Sequence, residues 1–128
     1  MSHQVVSTTT APAAVGPYSQ AIAAGDLVFC SGQIGLDPAT GELVEGGVEA
    51  EAERALRNLA AVLDAAGLGL ADIAKVTIFL ADIADFAAVN AVYARFMPDP
   101  PPARTTVAVA GLPRGARVEI EAIAVRPE

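Results

Sequence analysis

The 128-residue chain is 53% hydrophobic and 18% charged, and its 15 acidic and 8 basic side chains give a formal net charge of −7. This length fits one domain over residues 1–128 with a sizeable core, and the high apolar content excludes a disordered chain. An acidic balance without a basic cluster argues against nucleic acid and anionic membranes as partners. The apolar runs are short and rich in alanine, so no membrane-spanning segment is predicted.

Cys30 is the only cysteine and His3 is the only histidine. A single cysteine excludes an intramolecular disulfide and fits a reducing compartment, and Met1–Gln4 lack the order of a signal peptide, so a cytoplasmic location is expected. A Cys/His metal site lacks ligands, and so does a catalytic dyad or triad that needs an internal histidine. An enzyme built on this chain must therefore use carboxylates, arginines, hydroxyls and backbone groups.

The first third of the chain predicts three strands separated by turns. β-branched residues favour a strand over 3–10, and a second extended piece over 18–24 follows the turn signal Gly16-Pro17. The third strand covers 27–34, and its nearly all-apolar first half is typical of a strand covered on both faces. The prolyl and glycyl residues of 37–41 then predict a turn.

The middle third predicts a helix, a strand over 75–80 and a second helix. Apolar residues at three- and four-residue steps predict a helix over 48–66, and Gly67 behind it suits the left-handed cap position. The second helix starts at a cap on Asp82 or Asp85 and runs to about Phe96, where a proline-rich segment ends it. The side chains expected on its inward face are Ile83, Phe86, Val89 and Tyr93 or Phe96.

The last third predicts a hairpin of two alternating strands, 104–110 and 117–125, joined over 111–115. The element order then predicts an α+β domain, a mixed β-sheet with two helices packed on one face. The other face would carry small and apolar residues as well as charged ones. Packing against another subunit is therefore expected there rather than a fully solvated face.

Charged side chains in this predicted hairpin could carry chemistry. Arg104 follows a run of prolines that fixes the entry of its strand, and a guanidinium matches a carboxylate through two parallel hydrogen bonds. Glu119 and Glu121 share one face of the final strand, which the hairpin would place beside the strand of Arg104 in a register that the sequence does not give. A surface arginine and solvated glutamates are the structural alternatives.

Three further polar positions stand out. Ser31-Gly32-Gln33 ends the third strand, and a glycine within a strand marks either a β-bulge or the close approach of a ligand or another backbone. Tyr18 and Asn90 are polar groups in otherwise apolar segments, where a satisfied packing position is the simpler interpretation. No phosphate-binding loop or dinucleotide fingerprint follows a strand.

Five motifs, in order over nearly the whole chain, resemble the RidA (YjgF) family of reactive imine deaminases. They are APAAVGPYSQ at 11–20, CSGQI at 30–34, FAAVNAVY at 86–93, PAR at 102–104 and VEIEAIAV at 118–125. The resemblance implies a chorismate-mutase-like α+β fold and a homotrimer with a ligand cleft between each pair of subunits. The resemblance implies that Arg104 corresponds to the family's carboxylate-binding arginine and Glu119 to its water-orienting catalytic glutamate.

The substrate-binding positions that the resemblance implies are Tyr18, Ser31, Gly32, Asn90 and Thr106. The sequence departs from the family in two places. Thr106 stands where many members have a cysteine, which removes thiol chemistry but leaves a backbone N–H for binding. The stretch before Pro102 is shorter and richer in proline than is usual, which affects the rim of the cleft and therefore the preferred size of the substrate.

The implied reaction is the hydrolysis of a 2-imino acid, such as 2-iminobutanoate or 2-iminopropanoate, to a 2-oxo acid and ammonia. Arg104 would hold the substrate carboxylate while Glu119 holds and deprotonates a water molecule. No metal or organic cofactor is expected, because an imine is already electrophilic. Two alternatives stay open: a non-catalytic module that binds small carboxylates for regulation, and an endoribonuclease, which the net charge of −7 opposes.

Overall fold

A computed structural model describes residues 2–128 and contains one six-stranded mixed sheet with two helices. The strands lie in the order β1-β2-β3-β6-β4-β5. The bounds are β1 Gln4–Val6, β2 Ala21–Ala24, β3 Leu27–Gln33, α1 Gly47–Ala65, β4 Ile73–Leu80, α2 Phe86–Phe96, β5 Ala103–Ala108 and β6 Val118–Val125. Short 3-10 turns lie at Leu70–Asp72, Ile83–Asp85 and Pro113–Gly115. The predicted α+β class and mixed sheet are confirmed.

The predicted hairpin between the last two strands is wrong. β6 lies in the middle of the sheet, antiparallel to both β3 and β4, whereas β5 lies at the edge and runs parallel to β4. Burial explains the arrangement: alternate side chains of β6 are almost completely buried, whereas most of β5 is exposed. A strand with one completely buried face therefore takes a central position, and residues 109–117 carry the chain past β4 to reach it.

Helix α1 covers one face of the sheet. Its apolar stripe of Ala52, Leu56, Leu59 and Leu63 is fully buried, and each leucine contributes about 1.5–3 kcal/mol to burial. The bounds differ from the predicted 48–66 by one residue at each end, and Gly67 does adopt the left-handed conformation at φ 79°. The buried amide of Asn58 donates to the carbonyls of Ile34 and Leu36 and so anchors the segment after β3 to this helix.

The first two strands are shorter than predicted because residues 8–20 form a loop. The loop is organised by the buried side chain of Gln20, which accepts a hydrogen bond from the Thr8 N–H at 2.7 Å. The same amide donates to the carbonyls of Thr8 and Pro12 at 3.1 and 2.8 Å. These hydrogen bonds satisfy backbone groups of Thr8 and Pro12 that would otherwise need a neighbouring strand, so this segment does not form a strand despite its β-branched residues.

The second helix begins at one of the two predicted starts: Asp85 is the N-cap residue of α2, which runs from Phe86 to Phe96. Asp82 accepts a hydrogen bond from the Ala84 N–H and caps the 3-10 turn that precedes this helix. Ile83 and Phe86, both predicted to face inward, are 56% and 41% exposed because this turn precedes the regular helix. Val89 and Tyr93 are buried as predicted.

The sheet face opposite the helices carries exposed apolar side chains. Within the single chain β3 alternates, with Val28 and Cys30 buried and Leu27 and Phe29 exposed, so the predicted coverage of both faces is wrong for one copy. Val107 and Val125 extend this exposed apolar set across the sheet. No helix within residues 2–128 is long and apolar enough to span a membrane.

Candidate active site

Arg104 lies at the edge of the sheet, on the face that the helices cover. It is paired across the sheet with Val76, which is fully buried under the helices, and neighbours in this register share a face. The guanidinium carbon lies 4.9 Å from the ring centroid of Tyr93 and 5.6 Å from that of Phe86, both on α2. The surrounding cavity of about 340 Å³, called the arginine cavity below, is lined by Asn90, Tyr93, Ala94, Met97, Pro98, Pro101, Pro102 and Arg104.

Within residues 2–128, the guanidinium of Arg104 forms no ion pair with an acidic side chain. The ion pairs within residues 2–128 join Glu53 to Arg57 and Arg95, and Glu51 to Arg117. The in-plane N–H groups of Arg104 are therefore available to an external carboxylate, for which their fork geometry is well suited.

Two hydroxyl groups near Arg104 are buried without a hydrogen-bond partner, those of Tyr93 and Thr106. Thr106 follows Arg104 by two residues on β5 and therefore points to the same face of the sheet. A buried hydroxyl without a partner costs about 1–3 kcal/mol, which a folded protein rarely tolerates without a functional reason. Thr106 therefore lies on the same face as Arg104 with an unpartnered hydroxyl, although it is not among the residues that line the arginine cavity.

Glu119 lies on the opposite face of the sheet, above Gly32. The register of β3 and β6 shifts between Cys30 and Gln33, so the strand contains a bulge at this glycine. A Cβ atom at position 32 would lie 2.7 Å from Cδ of Glu119 and would also collide with its Oε2. The register shift agrees with the bulge interpretation of the Ser31-Gly32 sequence, and the group that approaches Gly32 closely is the side-chain carboxyl of Glu119 rather than a ligand or another backbone.

The environment of Glu119 favours the protonated form. Partial burial raises the pKa of Glu119 above its usual 4.5, and the neighbouring charge of Glu121 raises this pKa further. A carboxyl group with a raised pKa is a better proton acceptor when ionised, so its position suits general acid–base chemistry.

Tyr18 and Ser31 border Glu119 and are held by backbone contacts. The Ser31 hydroxyl donates to the Ser19 carbonyl at 2.6 Å, and the Tyr18 hydroxyl accepts from the Val15 N–H at 3.3 Å. Together with Gly32 and Glu119 they line a second cavity of about 440 Å³, called the glutamate cavity below. The Tyr18 side chain is 54% exposed, so it forms the rim of this cavity.

Gln20 and Arg114 are among the residues of the glutamate cavity that were not predicted as site residues. Gln20 holds the loop that forms one wall, and its place inside the motif at 11–20 was the available signal. Arg114 has a left-handed backbone at φ 62°, and its guanidinium donates to the Gly41 carbonyl at 3.0 Å across the rim. Nothing in the local sequence beyond the turn signal Pro113-Arg114-Gly115 pointed to this position.

The two cavities are separate within one chain. Arg104 and Glu119 are two strands apart and three residues apart in register, roughly 14 Å between Cα atoms, and they point to opposite faces. The expectation that a hairpin would place the strand of Glu119 and Glu121 beside the strand of Arg104 is therefore wrong, because β4 lies between them. The predicted site residues divide into Arg104, Asn90 and Thr106 on one side and Tyr18, Ser31, Gly32 and Glu119 on the other. Within residues 2–128, no cluster of three or more His, Cys, Asp or Glu side chains could hold a metal ion.

Known proteins resemble this chain over nearly its full length. A mouse protein named 2-iminobutanoate/2-iminopropanoate deaminase is 53% identical over 123 residues, which cover 96% of this chain and 91% of the mouse protein. The crystal structure of RidA from an Antarctic Psychrobacter is 48% identical with a TM-score of 0.92, covering 95% of this chain and 98% of that one. The structure of Escherichia coli TdcF with bound serine is 44% identical with a TM-score of 0.91, covering 97% and 99%.

The family model described as endoribonuclease L-PSP matches residues 8–126. This range contains all five motifs on which the resemblance rests, and it includes every predicted site residue. The chain therefore belongs to the endoribonuclease L-PSP family, the family of RidA.

Proposed function

We propose that the protein is a 2-iminobutanoate/2-iminopropanoate deaminase, an enzyme that hydrolyses 2-imino acids to 2-oxo acids and ammonia. The observation that carries this proposal is a guanidinium that lines a cavity without any acidic partner, on the residue where the family binds a carboxylate. Relatives about 50% identical to this chain are named for the same activity.

The chemistry needs one anion site and one proton-transfer group. Arg104 binds the substrate carboxylate bidentately and thereby fixes C2 of the imine. Glu119 accepts a proton from water as the water oxygen bonds to C2 and the C=N electron pair moves to nitrogen, and Glu119 then passes this proton to the nitrogen. In the resulting carbinolamine, Glu119 takes the hydroxyl proton and delivers it to the amino group as the C–N bond breaks, so the C=O bond of the 2-oxo acid forms and ammonia leaves.

We further propose a homotrimer whose clefts join the arginine cavity of one copy to the glutamate cavity of the next. Three features support it: the two cavities lie on opposite faces, β5 is an edge strand, and the open face exposes apolar side chains such as Phe29 and Val107. A cleft between copies would place Arg104 and Glu119 on one small acid, which a single chain does not do.

The competing functions fit less well. A non-catalytic carboxylate-binding module would use Arg104 but has no need of a carboxyl group with a raised pKa at Glu119. An endoribonuclease must approach phosphates, and the net charge of −7 opposes that contact. A cytoplasmic location and independence of cofactors belong to the same proposal, because Cys30 fits a reducing compartment and imine hydrolysis needs no redox or Lewis-acid group.

The activity is tested by coupling a threonine dehydratase to the purified protein and trapping the imine as its semicarbazone. We expect the protein to lower semicarbazone formation and Arg104→Ala to abolish this effect. Arg57→Ala is the matched control, because Arg57 is an exposed arginine outside both cavities. If the wild-type protein leaves semicarbazone formation unchanged, the deaminase assignment is refuted for this substrate.

The shared cleft is tested by complementation between two inactive chains. When Arg104→Ala and Glu119→Gln chains are refolded together in equal amounts, about one quarter of the clefts should receive both intact residues. Activity near one quarter of the wild-type value would support clefts between copies. No recovery in mixtures shown to contain both chains would place the complete site within one chain and refute the assembly.

A further inference from the structure

The charge of Arg104 is accompanied by aromatic rings rather than by an acid. Its guanidinium carbon lies within 6 Å of the ring centroids of Tyr93 and Phe86, and no carboxylate within residues 2–128 pairs with it. The face of an aromatic ring attracts a cation at this distance through the ring quadrupole. The half-buried guanidinium of Arg104 is therefore accompanied by two aromatic rings in place of a counter-ion.

Tyr93 contributes more to this environment than Phe86. Tyr93 is 5% exposed and its ring is the nearer of the two, whereas Phe86 is 41% exposed. Cation–π attraction strengthens as water is removed from the pair, so the buried ring has the larger effect. Tyr93 also precedes the proline-rich rim and follows Asn90 by about one helical turn, so its ring forms part of the wall of the arginine cavity.

The ring face of Tyr93, not its oxygen, acts on the arginine. Burial raises the pKa of Tyr93 above its usual 10, although the positive charge of Arg104 acts in the opposite direction. The hydroxyl is therefore neutral at pH 7, and it makes no hydrogen bond. A phenolate counter-ion is thereby excluded.

This arrangement has a functional consequence. A carboxylate partner would occupy the in-plane N–H groups of Arg104 and compete with any acid that binds there. An aromatic ring stabilises the charge without supplying a carboxylate to those N–H groups, and no ion pair within residues 2–128 involves Arg104. We propose that Tyr93 is a positioning residue of the carboxylate site, with its ring face holding the guanidinium of Arg104 in the orientation that receives the acid. The inference rests on the proposed function in identifying that acid as the substrate.

The test compares Tyr93→Leu with Tyr93→Phe. Leucine removes the ring, so the dissociation constant of 2-oxobutanoate, measured by calorimetry, should rise about 10-fold and KM should rise in parallel, with a smaller change in kcat. Phenylalanine keeps the ring and removes only the unpartnered hydroxyl, so both constants should stay within about two-fold of the wild-type values. Phe86→Leu, at an exposed position that the fold does not depend on, should weaken binding about three-fold.

Phe96→Leu is the control for a general loss of packing on α2. Its ring lies 5.6 Å from Arg57, so this variant removes a similar pair outside the site and should leave 2-oxobutanoate binding unchanged. If Tyr93→Leu folds and binds 2-oxobutanoate with the wild-type dissociation constant, the inference is overturned. If Tyr93→Leu fails to fold, a wild-type dissociation constant in Phe86→Leu would overturn it instead. Equal losses in Tyr93→Phe and Tyr93→Leu would overturn it too, because the hydroxyl would then be the active group. A wild-type protein that binds 2-oxobutanoate without deaminating imines would refute the proposed function alone.

Discussion

Replacement of Gly32 by alanine should lower turnover while leaving carboxylate binding nearly intact. The added methyl group would lie 2.7 Å from Cδ and 2.9 Å from Cγ of Glu119. Ordinary contacts begin near 3.4 Å, so the carboxyl carbon must retreat by at least about 0.7 Å, and Oε2 must move further. Gly32 has no left-handed backbone angle, so this overlap is the only strain that the substitution introduces.

The expected magnitude follows from the role of Glu119. A displacement near 1 Å of a group that handles the attacking water costs about 100-fold in rate, so kcat should fall by about this factor. The dissociation constant of 2-oxobutanoate should change less than about two-fold, because binding is assigned to Arg104. Stability should fall by only about 1 kcal/mol, because Glu119 is half-buried and can rotate away from the added methyl group.

The assay is imine trapping with semicarbazide, combined with calorimetric titration of 2-oxobutanoate and urea unfolding. Gly111→Ala is the matched control, because no atom lies within 4 Å of a methyl group there and its backbone is not left-handed. Wild-type kcat in Gly32→Ala would refute the catalytic position of Glu119 above this glycine. A loss of binding as large as the loss of kcat would refute the division of roles between Arg104 and Glu119.

Three further outcomes follow from the buried polar groups. Thr106→Val removes an unpartnered buried hydroxyl, so urea unfolding should show about 1 kcal/mol of added stability. Calorimetry should show 2-oxobutanoate binding weakened about 5-fold, and unchanged binding would contradict a role for this hydroxyl in binding. Burial and Glu121 raise the pKa of Glu119, so the folded state holds this proton more tightly than the unfolded chain, and the ionised carboxylate lowers stability at neutral pH. Glu119→Gln should therefore raise the urea midpoint at pH 7. This gain should shrink as the pH falls through the raised pKa of the folded state and should be absent below the unfolded pKa of about 4.5, so a gain that is independent of pH would contradict this cause. Burial raises the pKa of Cys30 to about 11, so iodoacetamide should not label the native protein at pH 8 but should label it in urea, as mass spectrometry would show.

Local patterns in the sequence predicted the elements well, and they did not predict which strands are neighbours. The helical stripe ending at Gly67 and the alternation from Val118 to Val125 were readable because they depend on side chains a few residues apart. Strand order depends on which strand buries the most apolar surface, and the alternation of β5 and β6 fits either a hairpin or two separated strands. The hairpin was inferred from closeness along the chain, and the central position of β6 contradicts it.

The candidate site shows the same division between local and long-range information. Arg104 and Glu119 were identified from motifs, and Gly32 was flagged because glycine is unusual within a strand. Gln20 and Tyr93 were not predicted as site residues, because their roles depend on contacts with distant segments. Gln20 contacts the loop at 8–12, and Tyr93 contacts Arg104 on strand β5. The two cavities are separate because Arg104 and Glu119 point to opposite faces of the sheet. These faces can be assigned only when the order of the strands is known.

The central position of β6 has a consequence for how the protein folds during its synthesis. The strands made first, β1 to β3, have no direct pairing with β4 and β5, and the last strand joins the two groups. A nascent chain on the ribosome therefore holds two incomplete half-sheets with unpaired edges until residues 118–125 emerge. Cooperative folding of the sheet is deferred until then, and premature termination before residue 118 would leave fragments prone to aggregation and proteolysis.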